Sequence, residues 1–297
     1  MSGSWLQFVA GGLTAGAIYA LVALGFSIVY NASHAINFAQ GEFVMLGGMG
    51  AVSLVALGLP LWLAVPLAVA GAAIVGVLVQ RLALERAQAG GQADVVTLII
   101  ITIGVALFLR GAAQVVWDKR IHALPAFSGN TPLSIGGPGG ASVLPQSLWV
   151  LVGSALAVVA LGGFFGRTLY GKAMRATAIN PLAARLMGIS TRGVMRVSFA
   201  LAAALGALGG VLTAPITFTS YDVGVMLGLK GFAAAILGGL GSFGGAVAGG
   251  LLLGLLEGLS AGFVSSAYKD ALAFIVILGV LFFLPGGIAG ARGSERV

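Results

Sequence analysis

Apolar residues run in long blocks along this chain, separated by short polar stretches. Blocks fall near residues 5–30, 38–57, 61–80, 95–116, 146–166, 197–217 and 271–288. Each is close to the ~20 residues that carry a helix across a bilayer. The stretch 229–258 is longer than one straight span requires. The sequence Gly238-Gly239-Leu240-Gly241-Ser242-Phe243-Gly244-Gly245 interrupts it, so a broken helix or two short helices is expected there. In the first half, Asn37-Phe38-Ala39-Gln40-Gly41-Glu42-Phe43 makes a similar interruption. Interrupted segments in corresponding halves point to an inverted repeat around a central pathway. The pattern predicts an all-α, polytopic membrane helical bundle with about eight to nine membrane segments, some of them broken.

Composition strengthens that picture. Hydrophobic residues make up 59% and charged residues 8%, against about 25% charged in soluble domains. The chain is therefore an integral membrane protein. Its 49 glycines permit close backbone approach between helices in lipid. Gly250, Gly254, Gly258 and Gly262 recur at four-residue spacing, as do Gly241, Gly245 and Gly249. Both rows are expected to be packing faces. No cysteine is present, which excludes disulfides, thiolate chemistry and Cys-ligated metal. The start of the chain is uncharged through Gln7 and lacks the basic region of a cleavable signal. The first block is expected to be a retained span.

The net charge of +7 does not point to nucleic acid, because the charges sit at block ends and in one loop. Arg167, Lys172, Arg175, Arg185, Arg192 and Arg196 hold six of the fifteen basic residues with no acid among them. Short basic loops stay in the cytoplasm. The loop 81–94, with Arg81 and Arg86, and the tail, with Arg292 and Arg296, are expected on the same side. The loop 117–145 carries Pro125, Pro132, Pro138 and Pro145 and is expected outside. That places ten basic residues inside and three outside (Lys119, Arg120 and Lys269), with Arg110 and Lys230 in or beside apolar segments. Counting crossings puts the N-terminus outside, provided that Asn31–Asn37 is a cytoplasmic turn. Within the basic loop, Asn180 can cap a helix and Pro181 suits its first position. Gly188 suits the left-handed residue after the last turn. A short helix held between two spans is a handle for a soluble partner.

Glu42 and Glu257 are the acids deepest in apolar sequence. Such residues face a cavity or a partner. They either line a path or pair with Lys230 or a helix terminus to hold the bundle together. Asn37 and Gln40 lie beside Gly41, and unwound backbone at that depth must line water or be buried in protein. These two serve either a pathway or helix-to-helix hydrogen bonds. The stretch Gly166-Arg167-Thr168-Leu169-Tyr170-Gly171-Lys172-Ala173 approaches a phosphate-binding loop, but Ala173 stands where Ser or Thr is required and no strand precedes it. Zinc spacing and a nucleophile elbow are also absent from the sequence. The chain has no visible energy source of its own.

Several motifs resemble one family. Gly25-Phe26-Ser27-Ile28-Val29-Tyr30, followed by Ile36 through Gly47, is similar to the first-half signature of branched-chain amino-acid ABC importer permeases. Gly171-Lys172-Ala173-Met174-Arg175-Ala176 and Asn180 through Ile189 resemble that family's ATPase-contacting loop. The stretch from Leu229 through Ser242 resembles its second-half signature, and Tyr268-Lys269-Asp270 and Leu284-Pro285-Gly286-Gly287-Ile288 also fit. The likeness runs from about residue 10 to 290 and is to the H-type subunit of the leucine/isoleucine/valine importer.

The resemblance implies a multi-pass permease of the bacterial inner membrane, a single domain over 1–297 with its coupling loop at 167–196. Implied partners are a second, M-type permease, two cytoplasmic ATPases that bind ATP and Mg, and a periplasmic binding protein. No cofactor is expected in this chain. Coupling falls to Arg175, Ala176, Asn180, Pro181, Ala183, Ala184, Arg185 and Gly188, and the pathway to Asn37, Gln40, Glu42, Lys230 and Glu257. ATP binding would push the 181–187 helix and switch the pathway from outside-open to inside-open. Relatives that import urea, short amides or other amino acids leave the cargo open. A stand-alone secondary transporter or channel is the competing class; a membrane enzyme would need a catalytic constellation that the sequence does not show.

Overall fold

The computed structural model describes residues 2–88, 94–129, 131–135 and 141–289. Part of the loop 81–94, Pro138, and the tail with Arg292 and Arg296 lie outside the described residues. The helices are α1 (Ser2–Ser33), α2 (Gln40–Ala56), α3 (Leu61–Val79), α4 (Glu85–Gln88), α5 (Val95–Trp117), α6 (Pro145–Arg167) and α7 (Leu169–Ile179). They continue with α8 (Pro181–Leu186), α9 (Thr191–Thr217), α10 (Val223–Gly238), α11 (Phe243–Phe263) and α12 (Lys269–Phe283). A π-helical turn, Gln80–Leu84, joins α3 to α4. Among the described residues, six helices are long and apolar enough to cross a membrane, and α2 and α10 are shorter apolar helices. The expected membrane bundle is therefore present. The loop before α6 adds one feature not anticipated: strands β1 (Leu133–Ile135) and β2 (Ala141–Val143) pair antiparallel, Leu133 opposite Val143.

Among the six long helices α1 and α9 are the most buried, and the short α2 is buried as well, while α3, α5 and α6 turn apolar faces outward through Ile74, Phe108 and Val159. Small residues set the core. Gly250, Gly254 and Gly258 of α11 meet the backbone of Ala20, Gly16 and Gly12 of α1, and Gly262 meets the Phe8 ring. A Cβ on Gly12 would stand 2.7 Å from the Gly254 carbonyl oxygen. The four-residue row is thus a packing face, as its spacing predicts. Gly245 and Gly249 pack instead on Gly238 and Ala234 of α10. Gly47 meets the backbone of Ala207 and Gly210 that of Val44, which docks α2 on α9.

α1 starts at the end of the bundle that holds β2: Gln7 and Ala10 share a cavity with Ser142 and Val143. It finishes at the end that holds the basic loop, where Ser33 and His34 share a cavity with Pro181 and Arg185. The chain reverses after α1, so Asn31–Asn37 holds a turn. The segment His34–Ala39 then turns back into the protein, because Gln40 Nε2 donates to the Ala202 carbonyl, at 2.9 Å, deep in α9. One short segment is both a turn and an internal break. The second interruption lies at Gly239–Ser242, where Gly239 and Gly241 have positive φ and Asn31 Nδ2 donates to the Gly241 carbonyl at 2.8 Å. The segment after α12 covers the end of α10: Ile288 N donates to Leu237 O and Ala289 N to Gly238 O, at 2.9 and 3.0 Å. Orphan carbonyls at a buried helix end need such partners.

Two expected boundaries shift. The span placed at 197–217 begins at Thr191, so the end of the basic loop is already helix. The 229–258 stretch is two helices that begin at Val223 and end at Phe263. α2 has 17 residues and α10 has 16, about 25 Å each at 1.5 Å per residue. That is shorter than the ~30 Å hydrocarbon core. The two enter from opposite ends and pass at Gly41, Gly224 and Gly228, where backbone touches backbone.

Candidate functional site

Among the described residues, two sets of charged side chains lie deep among the apolar helices, and they share no member; Arg196 of α9 pairs separately with Glu85 of α4, at 2.8 Å. The first gathers on Lys230 of α10. Its Nζ donates to Glu257 Oε1 and Asp270 Oδ1, both at 2.8 Å, and to Tyr19 Oη at 3.2 Å. Tyr19 in turn donates to Glu257 Oε2 at 2.7 Å, and Lys269 Nζ lies 3.3 Å from Glu257 Oε1. An ammonium has three donors, and here all three are used. Two cations face two carboxylates, so the set is neutral. It ties α1, α10, α11 and α12 together.

The second set is at the start of α2. Glu42, in the first helical turn, is 2% exposed, and Arg110 of α5 reaches it with Nη2 2.5 Å from Oε1. A carboxylate suits the positive end of the helix dipole, and α2 has no side-chain cap there. Around it, Asn37 Oδ1 accepts from Ala39 N at 3.1 Å, and Thr102 Oγ1 accepts from Phe38 N at 3.1 Å. This set is not saturated. Glu42 Oε2, Arg110 Nε, Asn37 Nδ2 and Gln40 Oε1 are buried without a hydrogen-bonding partner among the described residues. Glu42 and Arg110 line a cavity of about 260 Å³ whose other walls include Ile103, Leu107, Leu229 and Phe232. Gly41, Gly224 and Gly228 line it too. The site therefore brings Asn37, Gln40 and Glu42 together but leaves Lys230 and Glu257 elsewhere. The partner of Glu42 is Arg110, not Lys230.

The basic loop forms a projection of two capped helices. Thr168 Oγ1 accepts from Gly171 N at 3.0 Å and caps α7. Asn180 Oδ1 accepts from Ala183 N at 2.9 Å, Pro181 opens α8, and Gly188 has φ +84°. Ile189 N returns to Ala184 O at 2.9 Å and closes the helix end. Arg185 Nε donates to Thr191 Oγ1 at 2.9 Å, tying α8 to the start of α9. Arg175, Ala176, Asn180, Pro181, Ala183, Arg185 and Gly188 are exposed. Ala184, assigned to coupling with these residues, is the exception in exposure: it is 4% exposed. α8 rests on α7 and α9, and Ala184 sits on the face turned toward the protein. The exposed tip is apolar instead, formed by Ile179, Leu182, Leu186 and Met187.

The model of the family described as branched-chain amino acid transport system / permease component matches residues 8–281. The chain belongs to that family. The high-affinity branched-chain amino acid transport system permease protein LivH of Escherichia coli (strain K12) is 34% identical, covering 99% of this chain and 98% of its own. BraD of Pseudomonas aeruginosa, a permease of the same description, is 33% identical over the same shares. A probable LivH of Methanocaldococcus jannaschii is 30% identical over 91% of this chain and 88% of its own. Its relatives are transport subunits, so this multi-pass membrane protein is a permease and not an enzyme.

Sequence reasoning missed three groups of residues in the permease. Arg110 is the only charge in the α5 block, and a lone charge in a span calls for a partner; that signal pointed to a pair without naming Glu42. Tyr19 left no signal, because a tyrosine in an apolar run reads as core. The apolar tip of α8 was hidden by the basic residues around it.

Proposed function

We propose that this permease is the transmembrane subunit of an ATP-driven ABC importer for branched-chain amino acids, handed over by a periplasmic binding protein. Residues 1–297 act as a single permease domain in the bacterial inner membrane, paired with a second, M-type permease. Two cytoplasmic ATPases bind ATP and Mg and press on the 167–196 loop. The end-to-end likeness to LivH and BraD carries this reading. The capped α8, with Asn180, Pro181, Arg185 and Gly188 fixing its shape, supports it, because a stiff projection transmits a push where a flexible loop would absorb it. Asn37, Gln40 and Glu42 serve the pathway. Lys230 and Glu257 flank it as the fastening that lets α10 move as one body with α1 and α11.

Co-purification from mild detergent tests the assembly, and two ATPases are the expected companions. Liposomes holding the complete importer then test the cargo: leucine uptake should require ATP and the binding protein. Uptake by the purified permease alone, driven by an ion gradient, would falsify the reading. Import of urea with leucine ignored would move the cargo and leave the assembly intact.

A further inference from the structure

The Glu42–Arg110 pair is the one charged contact that opens onto a cavity with apolar walls, among the described residues. Its chemistry is that of an amino acid turned inside out. A zwitterion offers an ammonium, a carboxylate and a side chain; the cavity offers a carboxylate, a guanidinium and a greasy wall. We propose that this cavity is a transit site for the zwitterion. The substrate ammonium takes Glu42 in place of Arg110, the substrate carboxylate takes the freed guanidinium, and an aliphatic side chain lies on Ile103, Leu107 and Leu229. The proposal rests on the reading of this chain as an amino-acid importer and adds the residues that meet the cargo.

Four observations carry it. First, both partners keep unspent capacity: Glu42 Oε2 and Arg110 Nε have no partner, although Glu42 is 2% exposed. A guanidinium has five donors and binds a carboxylate with two at once, and only Nη2 is engaged here. Second, the volume of about 260 Å³ falls just below the ~300–1,000 Å³ of drug-sized pockets, the scale of one amino acid. Third, the exchange swaps one pair for two and never leaves a bare charge in the membrane, where it would be costly. Because the resident pair must be displaced, the site holds its cargo weakly, as transit requires. Fourth, the cavity is floored by the crossing of α2 and α10 at Gly41, Gly224 and Gly228. Any relative movement of these two helices changes its width. Its open side leaves the Arg110 side chain 27% exposed, and a charge there calls for a polar partner rather than lipid.

The test uses the complete importer in liposomes. The variants are Glu42→Gln, Arg110→Met and the two combined. If the pair only fastens α2 to α5, two neutral groups should replace it, because neutral substitutes for a buried pair are often harmless. The combined variant would then carry leucine within about two-fold of the unaltered importer. If the pair meets the cargo, the combined variant assembles with its partners at normal yield and hydrolyses ATP, yet uptake falls about ten-fold or more, the scale of a lost charged hydrogen bond. Normal uptake in the combined variant overturns the proposal, and so does its failure to assemble. Leucine uptake by the unaltered importer is measured first. If another zwitterionic amino acid is carried instead, the cargo reading fails and the site is tested with that amino acid. Should the unaltered importer carry only an uncharged amide, both fall.

Discussion

Lys230 and Glu42 are both charged groups held in apolar helices, and they differ in what is left over. Around Lys230 every donor is matched: three protons meet three acceptors, two carboxylates meet two ammonium groups, and four helices are joined. Around Glu42 the pairing with Arg110 is close but incomplete, and both residues line a cavity. A saturated network has nothing to offer a passing molecule. An unsaturated one keeps donors and acceptors for a guest. The difference separates fastening from function more sharply than burial does, since Glu42 and Lys230 are both buried.

The largest effect should come from breaking the saturated set. Lys230→Met leaves Lys269 as the one cation facing Glu257 and Asp270, and losing one member of a buried ion pair costs about 3–5 kcal/mol. We expect the variant to reach the membrane at much reduced level and to unfold at lower temperature in detergent. Wild-type yield and stability with slow uptake would instead move Lys230 into the pathway. Next in size is Gly41→Leu. A Cβ at Gly41 would collide with the Gly224 carbonyl oxygen and stand 3.0 Å from the Gly228 Cα, and overpacking costs about 1–3 kcal/mol or more. The side chain would also fill the cavity beside Glu42, so uptake should fall further than thermal stability does. A parallel fall in both would make the crossing a mere packing contact. Tyr19→Phe comes third. It removes the donor to Glu257 Oε2 and leaves that oxygen unpaired, a penalty of about 1–3 kcal/mol. Stability should drop with the rate of uptake per assembled importer unchanged.

The two sets also show what the sequence could reveal. The glycine row of α11 was legible because four-residue spacing on a helix is a geometric statement, and α1 answers it with Gly12 and Gly16. Both helix interruptions were legible because glycines and polar residues break apolar blocks. Pairing was not. Arg110 and Glu42 are 68 positions apart and Tyr19 and Glu257 are 238, and nothing local in the sequence says which helix faces which. The orientation of α8 was hidden for the same reason. Its cap could be read from Asn180 and Pro181, but the burial of Ala184 depends on α7 and α9, which only the fold brings beneath it.

The distinction between committed and free groups extends to that loop, and there it gives the smallest and most discriminating prediction. Asn180 is committed: its Oδ1 is spent on Ala183 N. Leu182 and Leu186 are free, exposed at the tip. Asn180→Ala removes the cap at a cost of about 1 kcal/mol. That loosens α8 without touching a partner surface, so the ATPases should still co-purify while each ATP hydrolysed moves less leucine. Leu186→Glu does the reverse. Leu186 closes α8 but its side chain is exposed, so the substitution shifts stability by only about 0.5 kcal/mol, while a charge on an apolar contact repels the partner that covers it. The permease should stay folded and lose its ATPases during purification. The two variants therefore separate the stiffness of the projection from its adhesion. If Leu186→Glu keeps the ATPases at normal yield and couples normally, the apolar tip is not what they hold, and the basic residues Arg175 and Arg185 become the candidates for that contact.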